Sequence, residues 1–505
     1  MSGICLNVNK IHASSSIRFS WGRTMEHTLL IFALLLIGGQ VTFGRVPADQ
    51  HHKDGCKLDR KLIQEIHSYR PVVNRIYEEI VNGRFAGKVW DDLEDLSLTF
   101  GARLSGSPQL EKAIDYVMEE MKHDGLENVH AEDAPVPHWV RGEESATLVE
   151  PFPKKLPMLA LGESVGTPEG GITAEVVVVR SFEELDAMDS TEVEGKILVF
   201  APEWVSYGAT VQYRGRGPAE AAKKGAIACL IRSMGPMSIG SPHTGGVNYE
   251  KGVKKIPAAS ITVEDAEMLL RLKQRNSKIT VHLEMGCQNF GLITSRNTIG
   301  ELQGTVHKNN SVIVLTGHLD SWDVGLGAMD DGGGVMISWK ALTFLKAMGL
   351  RPRRTMRAVL FTAEEQGYWG ERQYFEDHRE HAEEEFDFIL ESDAGTFDPK
   401  GYQFSGNEEA ACIFTEIAKL VEPYNMNYLT TSLPAGSGIR FSNKGFPYAS
   451  FITENDKYFW FHHSEGDSMM VVDPKSLDKC TAVYAATAYV LADLSVSLPK
   501  TVNLN

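Results

Sequence analysis

Four places in this chain set carboxylates and histidines where a metal ion could use them. Residues 312–316 lead into Gly317-His318-Leu319-Asp320, residues 357–362 into Ala363-Glu364-Glu365, and residues 386–390 into Glu391-Ser392-Asp393. The fourth is the aromatic stretch 458–461, followed by His462-His463-Ser464-Glu465-Gly466-Asp467. One carboxylate after a strand-like run means little. In an open α/β sheet, however, reactive groups gather in the crevice beyond the carboxyl ends of the strands, and several at equivalent ends point to one site. His318, Asp330, Glu365, Asp393 and His463 supply two imidazoles and three carboxylates. That is about what a pair of zinc ions needs, because zinc takes nitrogen and oxygen ligands and two ions about 3.5–4 Å apart can share a carboxylate and a water. Asp320 is placed to accept the His318 ring N–H that faces away from the metal, fixing the imidazole.

Plainer readings compete at each place. The turn 325–334, Gly-Leu-Gly-Ala-Met-Asp-Asp-Gly-Gly-Gly, precedes helical periodicity and could cradle a phosphate. Asp330 and Asp331 at its mouth would repel one, and no GxxxxGK[ST] sequence occurs, so metal is favoured and the glycines are read as letting the backbone approach the ions. Asp331 has a second role open to it, capping the free amides of the helix that follows. Paired glutamates usually lie on solvated faces, and an aromatic stretch with histidine is usually core. Their neighbourhood is what raises Glu364, Glu365 and His463 above that. The sequence Gly162-Glu163-Ser164-Val165-Gly166 fits the nucleophile elbow of serine hydrolases, but Thr167-Pro168-Glu169-Gly170-Gly171 follows where a helix is required. A single-zinc protease is disfavoured because HExxH is absent.

The elements that must position these groups are of two kinds. Apolar residues at three- and four-residue spacing predict helices over 60–82 and 107–123. Between 151 and 285 the text changes to short β-rich runs at 175–180, 196–200, 226–231 and 278–284, separated by Gly- and Pro-rich turns, which reads as an inserted domain. Beyond it, 311–316, 357–362, 386–390 and 447–453 suit strands buried on both faces, with helices over 334–348 and 410–421. The expected fold is α/β: a largely parallel sheet with helices on both faces, interrupted by the insert.

At 505 residues the chain exceeds what one core usually serves. Residues 29–37 form an apolar run preceded by Lys10, Arg18 and Arg23 and followed by small residues. A membrane span needs roughly 20 apolar residues, so 1–44 reads as a signal peptide and the mature protein as secreted or lumenal, without stable membrane insertion. The formal charge of −17 becomes more negative once that leader is lost, which disfavours nucleic acid and anionic membrane as partners. Asn309-Asn310-Ser311 is a glycosylation sequon at Asn309. Six cysteines, one of them in the leader and none in a CxxC pair, make neither a metal site nor a disulfide framework.

Together, His318-Leu319-Asp320, Asp330-Asp331, Glu364-Glu365, Asp393 and His463 with Asp467 resemble the motifs of the co-catalytic zinc aminopeptidase and glutamate carboxypeptidase family. Residues 100–107 and 136–139 extend the likeness over most of the mature chain. The resemblance implies two Zn2+ per subunit, bridged by Asp330, with His318 and Asp393 completing one site and Glu365 and His463 the other. It further implies Glu364 as general base for a metal-held water. By the same likeness, 45–58 is a pro-segment, 59–150 and 286–498 form a zinc-aminopeptidase-like catalytic domain, 151–285 is a protease-associated domain, and the protein is a homodimer. The implied activity is hydrolysis of small unblocked peptides or dipeptides, as a carboxypeptidase or dipeptidase. The alternatives are an aminopeptidase of the same fold and a catalytically inactive receptor-like relative, against which the survival of every ligand and the base argues. One departure bears on substrate preference: relatives have an acidic residue after Gly-Ser or Gly-Thr, and here the sequence is Gly436-Ser437-Gly438.

Overall fold

The computed structural model describes residues 56–307, 310–431 and 439–503. The leader, most of the segment 45–58, Asn309 and the 436–438 stretch lie outside the described residues.

The central strands after residue 286 are largely apolar, and Val312–His318 and Phe386–Glu391 are buried throughout. Such strands need cover on both faces, and alternate side chains find it. Ile313, Leu315, Phe388 and Leu390 join the helices Gly333–Ala347 and Pro474–Asp493 in one core. Val312, Val314, Phe386 and Ile389 meet Tyr374 and Phe375 of the helix Trp369–His378 in another. Among the described residues the sheet has eight strands, in the order Glu127–Val140, Gln288–Leu302, Met356–Phe361, Val312–His318, Phe386–Glu391, Tyr448–Thr453, Pro399–Ser405, Tyr428–Thr430. The four central strands run parallel, while antiparallel pairs flank them on both sides, so the sheet is mixed. Parallel register sets Thr316 beside both Val359 and Glu391. The segments carrying His318, Glu364 and Asp393 therefore leave the sheet at one edge.

The first strand, Glu127–Val140, and the returning strand, Gln288–Leu302, pair antiparallel and form a two-stranded ribbon. Between them the chain builds a second eight-stranded sheet from strands that start with Glu144–Glu150 and end with Thr280–Met285. Its strands Ile172–Val179, Ile197–Phe200, Ala228–Arg232 and Ala258–Ile261 are parallel, and the helices Tyr207–Lys223 and Val263–Gln274 are interspersed with them. The sequence hides the first helix, because Gly208, Gly215, Gly217 and Pro218 all weaken a helical reading. Gly217 is needed for contact, since a Cβ there would lie 3.0 Å from the Phe200 ring. Trp322 and Val324, from the loop after His318, join the core of this second sheet with Trp139, Leu148 and Val281.

The region 60–82 forms two helices, Arg60–Ser68 and Arg70–Val81, the second starting with Pro71 in its first turn, where a missing N–H is tolerated. Two helices were not among the expected elements: Lys88–Phe100, which buries Val89, Leu93 and Leu96 at helical spacing, and Pro474–Asp493. The latter is buried on almost every face, so it carries no polar stripe to reveal it. Cys56 and Cys412 are joined by a disulfide across a sequence separation of 356, a single staple among the described residues. Cys229, Cys287 and Cys480 are buried thiols.

Candidate metal centre

His318 ends its strand fully buried, with Nε2 3.4 Å from Asp330 Oδ1 and 3.4 Å from Asp393 Oδ1. On the far side of Asp330, His463 Nε2 lies 3.4 Å from Oδ2 and 3.0 Å from Glu365 Oε2. Asp330 thus stands between two groups of side chains, and all five residues expected as ligands converge. The structure adds His462, whose ring stacks on His463 with centroids 3.5 Å apart and whose Nε2 is 3.4 Å from Asp330 Oδ2. No spacing rule pointed to it, because the His462-His463 pair offered two candidates and only one was read as a ligand.

Asp320 reaches His318 through its main chain. The imidazole Nδ1 is 3.0 Å from the Asp320 carbonyl and 3.7 Å from its carboxylate, so the N–H donates to the carbonyl, where the sequence had suggested the carboxylate. The carboxylate instead accepts the amides of Glu364 at 3.0 Å and Glu365 at 3.3 Å, holding the turn that carries both glutamates. That turn sends them different ways. Glu365 points inward and accepts from Trp322 Nε1 at 2.8 Å. Glu364 lines the cleft, with Oε2 4.0 Å from His318 Nε2.

Asp331 accepts the amides of His318 and of Gly334, each at 3.0 Å, so it joins a strand end to the first turn of the following helix. The glycines around it serve this carboxylate. A Cβ on Gly317 would lie 2.6 Å from Asp331 Oδ2, and one on Gly334 2.2 Å from Oδ1. Asp467 accepts the amides of Met329 and Asp330 and fixes the turn from outside. Arg103 is fully buried and donates to the carbonyls of Leu319, Leu326 and Gly327, each at 2.8 Å, pinning the loop between His318 and Asp330. Sequence reasoning missed Arg103 and Trp322 as supports. Their targets are backbone carbonyls and one carboxylate, which leave no mark on spacing.

The electrostatics describe a site built for positive charge. Burial, reinforced by Asp393, Glu365 and Asp320, pushes the Glu364 carboxyl well above its ordinary range. Burial also opposes charge on Asp330, but His318 and His463 beside it hold its carboxyl well below that range. Likewise burial disfavours a charged His463, yet Glu365 and Asp330 lift it to about 9. Asp330 Oδ2 and Glu365 Oε1 are buried without a hydrogen-bond partner among the described residues. Buried carboxylate oxygens of that kind are either strongly penalised or taken up by a cation. Imidazole nitrogens and carboxylate oxygens are the donors zinc accepts, so the residues present fit the expected ions.

The cleft over these residues has a volume of about 510 Å³. One wall comes from the main sheet, with Glu364, Gln366, Tyr368 and Asp393, and another from the second sheet, with Glu163, Tyr207, Arg214 and Asn248. Ser164 is no nucleophile: it is fully buried and its Oγ accepts the Ala258 amide at 2.9 Å. Among the described residues no helix is long and apolar enough to cross a membrane.

A family model described as peptidase family M28 matches residues 297–488. Carboxypeptidase Q of Mus musculus is 48% identical over 95% of this chain and 100% of its own length. That of Homo sapiens is 48% identical over 87% and 93%. Among solved structures, a peptidase M28 precursor from Shewanella amazonensis SB2B is 31% identical with a TM-score of 0.82, covering 86% of this chain and 99% of that one. A zinc aminopeptidase from Bacillus subtilis shares the fold at 19% identity, with a TM-score of 0.61 over 82% of this chain and 99% of its own.

Proposed function

This chain belongs to the carboxypeptidase Q group of peptidase family M28, and from that premise we propose that it is a two-zinc exopeptidase hydrolysing small unblocked peptides or dipeptides. In this reading His318 and Asp393 hold one ion, Glu365 and His463 the other, and Asp330 is shared. The observation that carries it is the parting of two adjacent glutamates. Both line the cleft, but Glu365 is tied to Trp322 and lies 3.0 Å from His463, whereas Glu364 stands 4.0 Å from His318. A base must not be consumed as a ligand, and Glu364 is the carboxylate left free.

Bound zinc would supply Lewis acidity, polarising the scissile carbonyl and making a water nucleophilic near neutral pH. Glu364 takes the proton of the attacking water on a carboxylate oxygen and returns it to the leaving amine. Asp320 keeps the glutamate turn fixed while the proton moves.

The finer features have support of their own. Secretion into an oxidising compartment fits the apolar run 29–37, the sequon at Asn309 and the Cys56–Cys412 disulfide. A homodimer fits the exposed Val140, Phe290 and Leu292 on the two-stranded ribbon. The second sheet, spanning most of 151–285, is read as the protease-associated domain.

The test is hydrolysis of an unblocked dipeptide by the processed protein after chelation and after zinc return, beside Glu364→Gln. We expect activity only with zinc, and a loss of roughly 10²–10⁴-fold in the variant at unchanged zinc content. Blocking the amine or the carboxylate then separates aminopeptidase from carboxypeptidase. No turnover in fully loaded protein would favour the receptor-like alternative.

A further inference from the structure

His463 is held from the other sheet. It sits at φ +59°, in the left-handed region that residues with a Cβ seldom occupy. Its own segment supplies the stacked His462 ring but, among the described residues, no hydrogen bond to Nδ1. What meets it is the loop 243–246 of the second sheet's domain. The Thr244 amide donates to the His463 carbonyl at 2.8 Å, and His463 Nδ1 lies 3.2 Å from the Thr244 carbonyl. The two residues thus grip each other at both ends, main chain to main chain and ring to main chain.

Behind Thr244 stands Arg214, from the helix Tyr207–Lys223 and only 7% exposed. Its Nη1 donates to the same Thr244 carbonyl at 3.1 Å and its Nη2 to the Tyr207 hydroxyl at 2.8 Å. Nη1 is also 3.4 Å from His463 Nδ1. Nδ1 cannot both accept from Arg214 and donate to Thr244. An ion held between Nε2 and the Asp330 and Glu365 oxygens would take the Nε2 lone pair, so Nδ1 would carry the proton and the carbonyl is its partner. Gly245 makes the approach feasible. It has φ +137°, and a Cβ there would lie 2.2 Å from Arg214 Cζ. The Thr244 side chain is fixed as well: its hydroxyl donates to the Ala160 carbonyl at 2.9 Å and accepts from Arg141, which pairs with Asp323 in the loop after His318.

We propose that Arg214 is a positioning residue for the metal centre: by locking the Thr244 carbonyl it fixes the tautomer and orientation of His463, so that the domain of the second sheet completes the ion site formed with Glu365. This rests on the two-zinc reading above, and it makes the insert part of the centre as well as a wall of its cleft. Arg214 also lines the cleft, but its effect on the ion site runs through Thr244. Its loss should spare the site of His318 and Asp393, which draws its support from strand ends and from Arg103.

The experiment is equilibrium dialysis of the full processed chain against buffered free zinc, comparing wild type, Arg214→Met, Arg214→Lys and Tyr207→Phe. Cobalt absorption is recorded as a second readout and thermal unfolding of the metal-free forms as a check on folding. The wild type should hold two ions. Arg214→Met should keep one and bind the other roughly 10–100-fold more weakly, the range for loss of an outer support of a metal-binding histidine. Arg214→Lys, which retains one donor for Thr244, should recover part of that loss. If Arg214→Met fails to fold, Tyr207→Phe keeps the ring and removes only the far anchor, and should shift the same ion in the same direction by less. Two ions in wild type with equal affinities in a folded Arg214→Met overturn the clamp alone. A wild type that holds no zinc overturns the centre and the clamp together.

Discussion

The two halves of the candidate metal centre are built on different principles. His318 and Asp393 extend from the parallel strands Val312–His318 and Phe386–Glu391, whose register is set by the sheet and whose flanks lie in two cores. His463 belongs to a loop, in a strained backbone conformation, and is gripped by a residue 219 positions earlier in the chain. A buried arginine serves each half by the same device, donating to backbone carbonyls. Arg103 holds the loop that links His318 to Asp330, and Arg214 holds the partner of His463. A strand end is rigid without help, while a loop ligand must import its rigidity from elsewhere in the fold.

The comparison is broken outright at the one residue both halves share. Asp330→Ala should remove both ions and leave no measurable turnover, read by zinc content and dipeptide hydrolysis. Retention of one tightly held ion would show that the halves are independent. Arg103→Met sharpens the contrast. Three buried carbonyls lose a charged donor and nearby carboxylates a counter-charge, so unfolding should need about 3–5 kcal/mol less. The two arginines then differ in kind, one setting stability and the other one ion's affinity, and a stability change under 1 kcal/mol would erase the distinction.

Smaller effects lie away from the centre. His378 bridges Glu385 at 2.9 Å and Glu132 at 3.2 Å, joining the helix Trp369–His378 to the edge strand Glu127–Val140. Burial disfavours its charge, but the two glutamates outweigh that and raise it to about 9. Because the folded value exceeds the unfolded one of about 6.5, its stabilisation is fully present below about pH 6.5 and is lost as pH rises through about 9. Denaturation of wild type against His378→Gln should therefore differ by roughly 1–3 kcal/mol at pH 6 and much less above pH 9.5, with zinc content unaltered. A gap independent of pH would remove the ionic account. Ser164→Ala should leave turnover unchanged, since the hydroxyl serves the Ala258 amide inside the second sheet. A large loss of turnover would reopen the hydrolase reading.

The same contrast explains what was legible in the sequence. Val312–His318, Met356–Phe361 and Phe386–Glu391 announce themselves because strands buried on both faces must be largely apolar, and their ends then mark His318, Glu364 and Asp393. The supports were hidden. Arg103 and the Thr244 carbonyl act on or through the backbone, which every residue possesses, and Arg214 lies in a helix disguised by three glycines and a proline. Asp331 fills the capping role the sequence left open, accepting the Gly334 amide at the start of the helix, and Gly317 and Gly334 leave room for its carboxylate.

The grip of Thr244 on His463 also sets an order in time. A ribosome adding about 5–20 residues per second delivers Thr244 tens of seconds before His463. The closing helix Pro474–Asp493, which packs against Arg70–Val81 from the start of the described chain, emerges later still. The strands of the second sheet and its half of the clamp are therefore all synthesised before His463. The proposed site of His463 and Glu365 can be completed only once residue 463 of 505 has been made, late in synthesis.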